Sequence, residues 1–292
     1  METRRTISEI VTDVLIKVVL LLLTLATLYP FIYVVSMSVS ASIYVVQQSV
    51  WLLPKGFTLE SYKLVFQNSV IWQSYYNTVW YTVVGTAINV FMTVIVAFPL
   101  SRKAFFLRNP LTLFIAFTMF FSGGMIPVFM VVNHLGLYDT RWAMILPGAV
   151  NAWNIIIART YFESIPESLD ESARMDGAND IMILFRIMLP LSLPILAVLT
   201  LFYAVGHWNS FFNALIYLPS VELQTLQIYL RKILILLSQE LAGSADTGLD
   251  RSVAVEQLKY AAIIVTILPI LFAYPFLQKY FVKGLMIGSI KG

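Results

Sequence analysis

The sequence predicts an all-α, polytopic membrane protein with six transmembrane helices and both termini in the cytosol. Three observations carry that expectation. Of 292 residues, 59% are hydrophobic and only 12% charged, against about 25% charged in ordinary soluble domains. A soluble core of this length has no room for so much apolar surface. The charges are also clustered, which leaves charge-free stretches at 18–54, 64–101, 109–138, 142–158, 187–221 and 260–278. Each holds a helix near the roughly 20 residues that span a hydrocarbon core, with 142–158 borrowing from its flanks. With the N-terminus inside, most of the 19 Lys and Arg residues fall on cytosolic segments, including Arg4, Arg5, Arg102, Lys103, Arg108 and Arg174. The net charge of +3 is then a positive-inside bias.

Taken in order, the expected spans are 14–38, 73–100, 111–131, 142–161, 192–218 and 260–281, within a single transmembrane domain over 1–292. The first apolar run is longer than a signal-peptide core of about 7–15 residues and lacks a small-residue cleavage pattern, so it reads as a retained anchor. Lys17 snorkels at its cytosolic end. Between the second and third spans, SRKAFFLRNP is a short basic turn, with Pro110 suited to the first turn of the next helix. Long connections remain at 39–72 outside, 162–191 inside and 219–259 outside, with a cytosolic tail at 282–292. Within 219–259, TLQIYLRKILILL is too short to span and carries Arg231 and Lys232 at its middle, where insertion costs roughly 2.5–3.5 kcal/mol per charge. It reads as an amphipathic loop helix. No internal repeat or low-complexity tract divides the chain.

The segment SIPESLDESARMDGANDIMILFRIMLPLSLP at 164–194 predicts two short helices around a tight turn. Ser164 and Glu167 have capping-box spacing, and Pro166 suits a first turn. Glu167, Asp170 and Glu171 place negative charge at the positive end of the helix dipole. Gly177 supplies a left-handed terminator, and Asn179 or Asp180 caps the second helix, which is expected to end before Pro190. On composition alone, a solvated loop helix competes with a helix that docks in a groove on another protein.

The run ESARMDGA from Glu171, followed by IMLP from Ile187 to Pro190, resembles the EAA loop of binding-protein-dependent ABC importer permeases, with Ser172 in place of the first Ala. Further runs carry the resemblance along the chain: FSGGMIP from Phe121, LGLYDTRW from Leu135, ILP from Ile145, WNSFF from Trp208 and FVKGLMIGSIKG from Phe281. They are similar to MalG-like carbohydrate permeases, in the lipoprotein-sugar and polysaccharide branch. The resemblance implies a type I permease fold in the cytoplasmic membrane. It also implies a coupling helix seated in an ATPase cleft through Glu167, Glu171, Ala173, Asp176, Gly177, Leu189 and Pro190. A second ATPase contact is implied at Gly288, Ser289 and Lys291, and a contact to a solute-binding protein at Gly243, Ser244 and Gly248. The implied partners are a second, homologous permease chain, two ATP-binding subunits, an extracytoplasmic solute-binding protein and an oligosaccharide that passes by alternating access.

What the chain lacks points the same way. There is no G-x-x-x-x-G-K-[ST] phosphate loop, so ATP and Mg are expected on partner subunits, no cofactor on this chain, and no enzyme activity of its own. Cysteine is absent and there are two histidines, His134 and His207, which removes Cys-based zinc sites and thiol catalysis. No basic block suggests nucleic acid. An ion-coupled secondary transporter is the competing class, but it normally keeps an ionisable group within the membrane, and spans two to six carry none centrally. An intramembrane enzyme is disfavoured because His207 and Ser210 offer only an i,i+3 pair. Polar residues in the spans mark a candidate sugar path at Asn77, Asn154, His207, Trp208, Asn209 and Asn213, against the alternative that they join helices.

Overall fold

A computed structural model of the chain describes residues 7–243, 258–272 and Pro275. Among the described residues the regular structure is helical, with no β-strand. The chain divides into two units, Met1–Ser69 with Leu230–Leu268, and Val70–Tyr229 with Pro269–Gly292.

In the first unit, α1 (Ile7–Ser38) runs as one helix through Pro30, and most of its apolar side chains are exposed. It is long and apolar enough to cross a membrane. The connection after it folds on itself through serine hydroxyls. Ser36 Oγ donates to Leu52 O at 2.6 Å, Ser38 Oγ meets Tyr62 Oη at 2.7 Å, and Lys55 N donates to Ser40 Oγ at 3.0 Å. These bonds place α2 (Ser42–Val46) and α3 (Glu60–Gln67) around a small core of Met37, Val45 and Val50, with Tyr33 and Tyr260 against it.

The second unit is built on α4 (Ser69–Ser101), the other helix long and apolar enough to span. The third expected span is broken. α5 (Arg108–Phe120) and α6 (Met125–His134) meet at 114°, because Ser122-Gly123-Gly124 intervenes and Gly124 takes φ +84°, a left-handed conformation that a β-carbon disfavours. The fourth is shortened. Two 3₁₀ turns, Arg141–Met144 and Leu146–Gly148, precede α7 (Ala152–Glu163). Pro147 and Gly148 interrupt the helix, and Asn151 restarts it by accepting Asn154 N–H at 3.0 Å.

The loop segment forms α8 (Glu167–Met175), α9 (Asp180–Ile183), a π turn at Leu184–Met188 and α10 (Leu189–Leu191). Helix therefore continues through Pro190 instead of stopping before it. Pro190 falls in the first turn of the α-segment that follows the π turn, at the change of helical pitch. The fifth expected span is divided into α11 (Leu193–Trp208) and α12 (Phe212–Tyr217), with Asn209 Nδ2 donating to Val205 O at the break. Beyond it, α13 (Leu226–Gly243) is the expected loop helix. A last apolar helix covers Leu258–Phe272; the expected span to 281 runs on outside the described residues. Apolar clusters hold the second unit, two larger ones and a smaller one of Val132, Ala143 and Tyr217. Of the larger two, one joins Phe98, Ile155, Phe162, Ala173, Ile183 and Leu199, and the other joins Tyr81, Met144, Ile145, Ala214, Leu218 and Ile228.

Candidate functional site

The sequence motif around Gly177 folds into a corner at the C-terminal end of α4. Ser164 does not form the expected capping box. It sits at the end of α7, where its hydroxyl donates to Tyr161 O at 2.7 Å, satisfying a carbonyl that the ending helix leaves free. Pro166 takes the cap position in an extended conformation, with no side-chain cap. Glu167 is thereby released to pair with Lys103 Nζ at 2.7 Å, and the Lys103 hydrogen bond holds its carboxyl below the usual carboxylate range.

The other end of α8 is closed by backbone alone. Gly177 N donates to Arg174 O at 3.0 Å and Ala178 N to Ala173 O at 2.9 Å, with Gly177 at φ +82°. This is the paired-bond terminator that requires a left-handed residue. Asn179 then accepts Met182 N–H at 2.8 Å and caps α9. Arg174 bridges the turn by pairing with both Asp170 and Asp180.

Ala173 is buried in the core with Phe98, Phe162 and Ile183, which fixes the rotation of α8. At 100° per residue, Glu171 and Met175 then lie on the opposite face. Both are exposed, Met175 at 88%, and Glu171 makes no ion pair among the described residues. Asp176 is exposed, Leu189 half-buried and Pro190 exposed.

Behind that face, Asp170 Oδ2 meets Arg102 Nη1 at 3.5 Å, and the side chains are 13% and 16% exposed. Arg102 also lies 4.7 Å over the Phe98 ring. Asp170 Oδ1 and Arg102 Nε and Nη2 are buried without hydrogen-bond partners. Nearby, Glu163 Oε1 is shared by Arg108 at 2.6 Å and Arg159 at 3.0 Å. The Arg102–Asp170 pair borders a groove of about 860 Å3, apolar along Phe91, Ile95, Phe98 and Phe185 and charged at Arg102, Asp170 and Arg174. Sequence reasoning placed neither Arg102, Asp170 nor Met175 in the site. The available signal was charge complementarity between the basic turn at 102–108 and the acids at 163, 167 and 170.

The candidate path residues fall in different settings. Asn77 is fully buried; its Nδ2 donates to Glu222 O at 2.6 Å and Gln224 O at 3.2 Å, and its Oδ1 accepts from Arg141 Nη2 at 3.2 Å. His207 Nε2 lies 2.6 Å from Asn89 Oδ1, while Asn89 Nδ2 donates to Gly148 O at 2.6 Å. Asn89 thus ties α4 to α11 and to the 3₁₀ turn. Trp208 is buried and meets Tyr75 edge-on at 6.3 Å. Asn154 is buried at the start of α7, and Asn209 and Asn213 are exposed. Among the described residues, no hydrogen bond joins Asn77, Asn154 and His207 to one another. Gly243 closes α13; Ser244, Gly248, Gly288, Ser289 and Lys291 lie outside the described residues.

Helices long and apolar enough to cross a membrane, one of them with a charged helix-turn locked onto its end, are the features of an integral-membrane component. The match to known sequences is specific: the chain belongs to the family of inner-membrane components of binding-protein-dependent transport systems, whose profile covers residues 69–287. It is 43% identical over 96% of its length to the polygalacturonan/rhamnogalacturonan transport system permease protein YtcP of Bacillus subtilis, covering 98% of that protein. Against Protein LplC of the same organism the identity is 45%, over 91% of this chain and 90% of the other. A crystal structure of a bacterial ABC transporter involved in import of the acidic polysaccharide alginate contains a chain that superposes with a TM-score of 0.87 at 40% identity, covering 96% of this chain and 99% of that one. The fold is accordingly that of a type I ABC permease.

Proposed function

We propose that this chain is one permease subunit of an ATP-driven importer for acidic oligosaccharides, with six spans and both termini in the cytosol of a cell bounded by its cytoplasmic membrane. It works beside a second, homologous permease chain, two ATP-binding subunits that hold ATP and Mg, and an extracytoplasmic solute-binding protein. The outward face of α8 carries the reading. Glu171 and Met175 point away from the core that Ala173 joins, so a partner gains a charged and an apolar handhold on a helix fixed from behind.

Force applied at that face reaches the membrane through the Arg102–Asp170 pair at the end of α4. Because the pair is incompletely hydrogen-bonded, it is set to re-form contacts as α8 moves, which suits alternating access driven by closure of the ATPase. The acidic substrate class is supported by relatives named for galacturonan and alginate, polymers of uronic acids. Gly177→Asp should abolish uptake in an otherwise assembled complex, because the left-handed turn and its two bonds hold the α8 end in place. Uptake is measured with a labelled oligogalacturonate and assembly by co-purification. Wild-type uptake by the assembled variant contradicts the reading.

A further inference from the structure

The central parts of spans two to six carry no Lys or Arg, so nothing in the sequence pattern shows how an acidic sugar would be read by this chain. The structure supplies a candidate from just outside a span. Arg141, in the first 3₁₀ turn, reaches across to α4 and lies 5.3 Å from the Tyr76 ring centroid and 5.2 Å from that of Trp80. Tyr76 and Trp80 are four residues apart and share one helix face. Nη2 of Arg141 is anchored on Asn77 Oδ1 at 3.2 Å. Asn77 is eight residues into α4, so the guanidinium is held about 12 Å along the helix from its start, not at its tip.

Charge pairing sets Arg141 apart. Arg102, Arg108, Arg159 and Arg174 each hold a carboxylate in this unit. Arg141, like Arg186, holds none among the described residues, and of these two it is Arg141 that is stacked on aromatic rings. The acid nearest to it in sequence, Asp139, is engaged by the amide and hydroxyl of Ser220. Stacking on aromatic faces fixes a guanidinium while leaving its in-plane N–H groups free for an oxyanion. Around it the aromatic surface is open: Tyr76 is 56% and Trp142 45% exposed, and Trp142 stands edge-on to Trp80 at 6.1 Å. An apolar ring wall beside an unpaired cation matches a uronic acid, which offers C–H faces for stacking and a carboxylate for a two-pronged bond.

We infer that Arg141, held by Tyr76, Trp80 and Asn77, is a carboxylate-reading subsite for uronic-acid residues of the imported oligosaccharide. The inference rests on the proposed importer function and on its orientation, which puts this turn at the extracytoplasmic end. The test is import of an oligogalacturonate and of its methyl ester by cells carrying the complete import system, with wild type, Arg141→Gln and Arg141→Lys. Loss of one charge-assisted bond predicts that Arg141→Gln lowers oligogalacturonate import about 10- to 100-fold. The methyl ester falls less, and Arg141→Lys restores part of the loss while the complex co-purifies intact. Unchanged import by Arg141→Gln overturns the inference. So does an equal loss for acid and ester, the result expected of an interfacial anchor or a lipid-headgroup contact. A wild-type system that imports neutral oligosaccharides and no uronate overturns the substrate class itself, and that failure is seen without any variant.

Discussion

Gly85 and His207 show how closely single residues are matched in this fold. A β-carbon on Gly85 would lie 2.5 Å from His207 Nε2, the same atom that bonds Asn89. Gly85→Ala therefore has to push the imidazole off Asn89, leaving a buried amide short of a partner, which costs about 1–3 kcal/mol. Thermal unfolding of the purified protein in detergent should show that loss. Most of it should vanish in the His207→Ala background, where the added methyl meets no ring; a fully additive double variant contradicts the packing account. Little of this was legible in the sequence, where His207 and Asn89 stand far apart as isolated polar residues. Gly177 and Asn179 were legible, because a left-handed turn and a side-chain cap are set by a few adjacent residues.

At the scale of elements, the long helix α4 was predicted within a few residues of Ser69–Ser101, since an uninterrupted apolar run has one outcome in a bilayer. The third to fifth spans read as continuous in the sequence because their apolar content overrides single residues in a long window. In the structure, Gly124, Pro147 with Gly148, and the Asn209–Ser210 step break them. The capping box failed for a related reason: Ser164 was claimed by the carbonyl of the helix before it. The strut between α4 and α8 joins residues 68 positions apart, Arg102 and Asp170, and no local pattern reveals such a pair. Removing one partner leaves a mostly buried charge exposed to poor solvation, so Asp170→Asn and Arg102→Gln should each destabilise by about 1–3 kcal/mol, discounted from fully buried pairs for residual exposure. The double variant should lose less than the sum. Coupling between ATP hydrolysis and uptake should fall in both single variants, measured as transported sugar per ATP; tight coupling in either variant contradicts the strut's role.

For the whole molecule, the few charges on an apolar chain are gathered into a small number of segments. Clustered pairs at 102–108 and 163–180 brace a helix from behind, while Glu171, which makes no ion pair among the described residues, faces outward with Met175. Family membership agrees with this division of labour, because a component of a binding-protein-dependent system draws its energy from another subunit. The absence of cysteine from the sequence makes the central claim directly measurable, since any introduced thiol is unique in the chain. Met175→Cys, carried in the assembled complex and treated with a short thiol-to-amine cross-linker, should join this chain to the ATP-binding subunit. Leu53→Cys, also highly exposed but in the first unit, should not. A Met175→Cys complex that transports normally yet gives no more cross-linking to the ATP-binding subunit than Leu53→Cys would contradict the claim that energy enters through the outward face of α8.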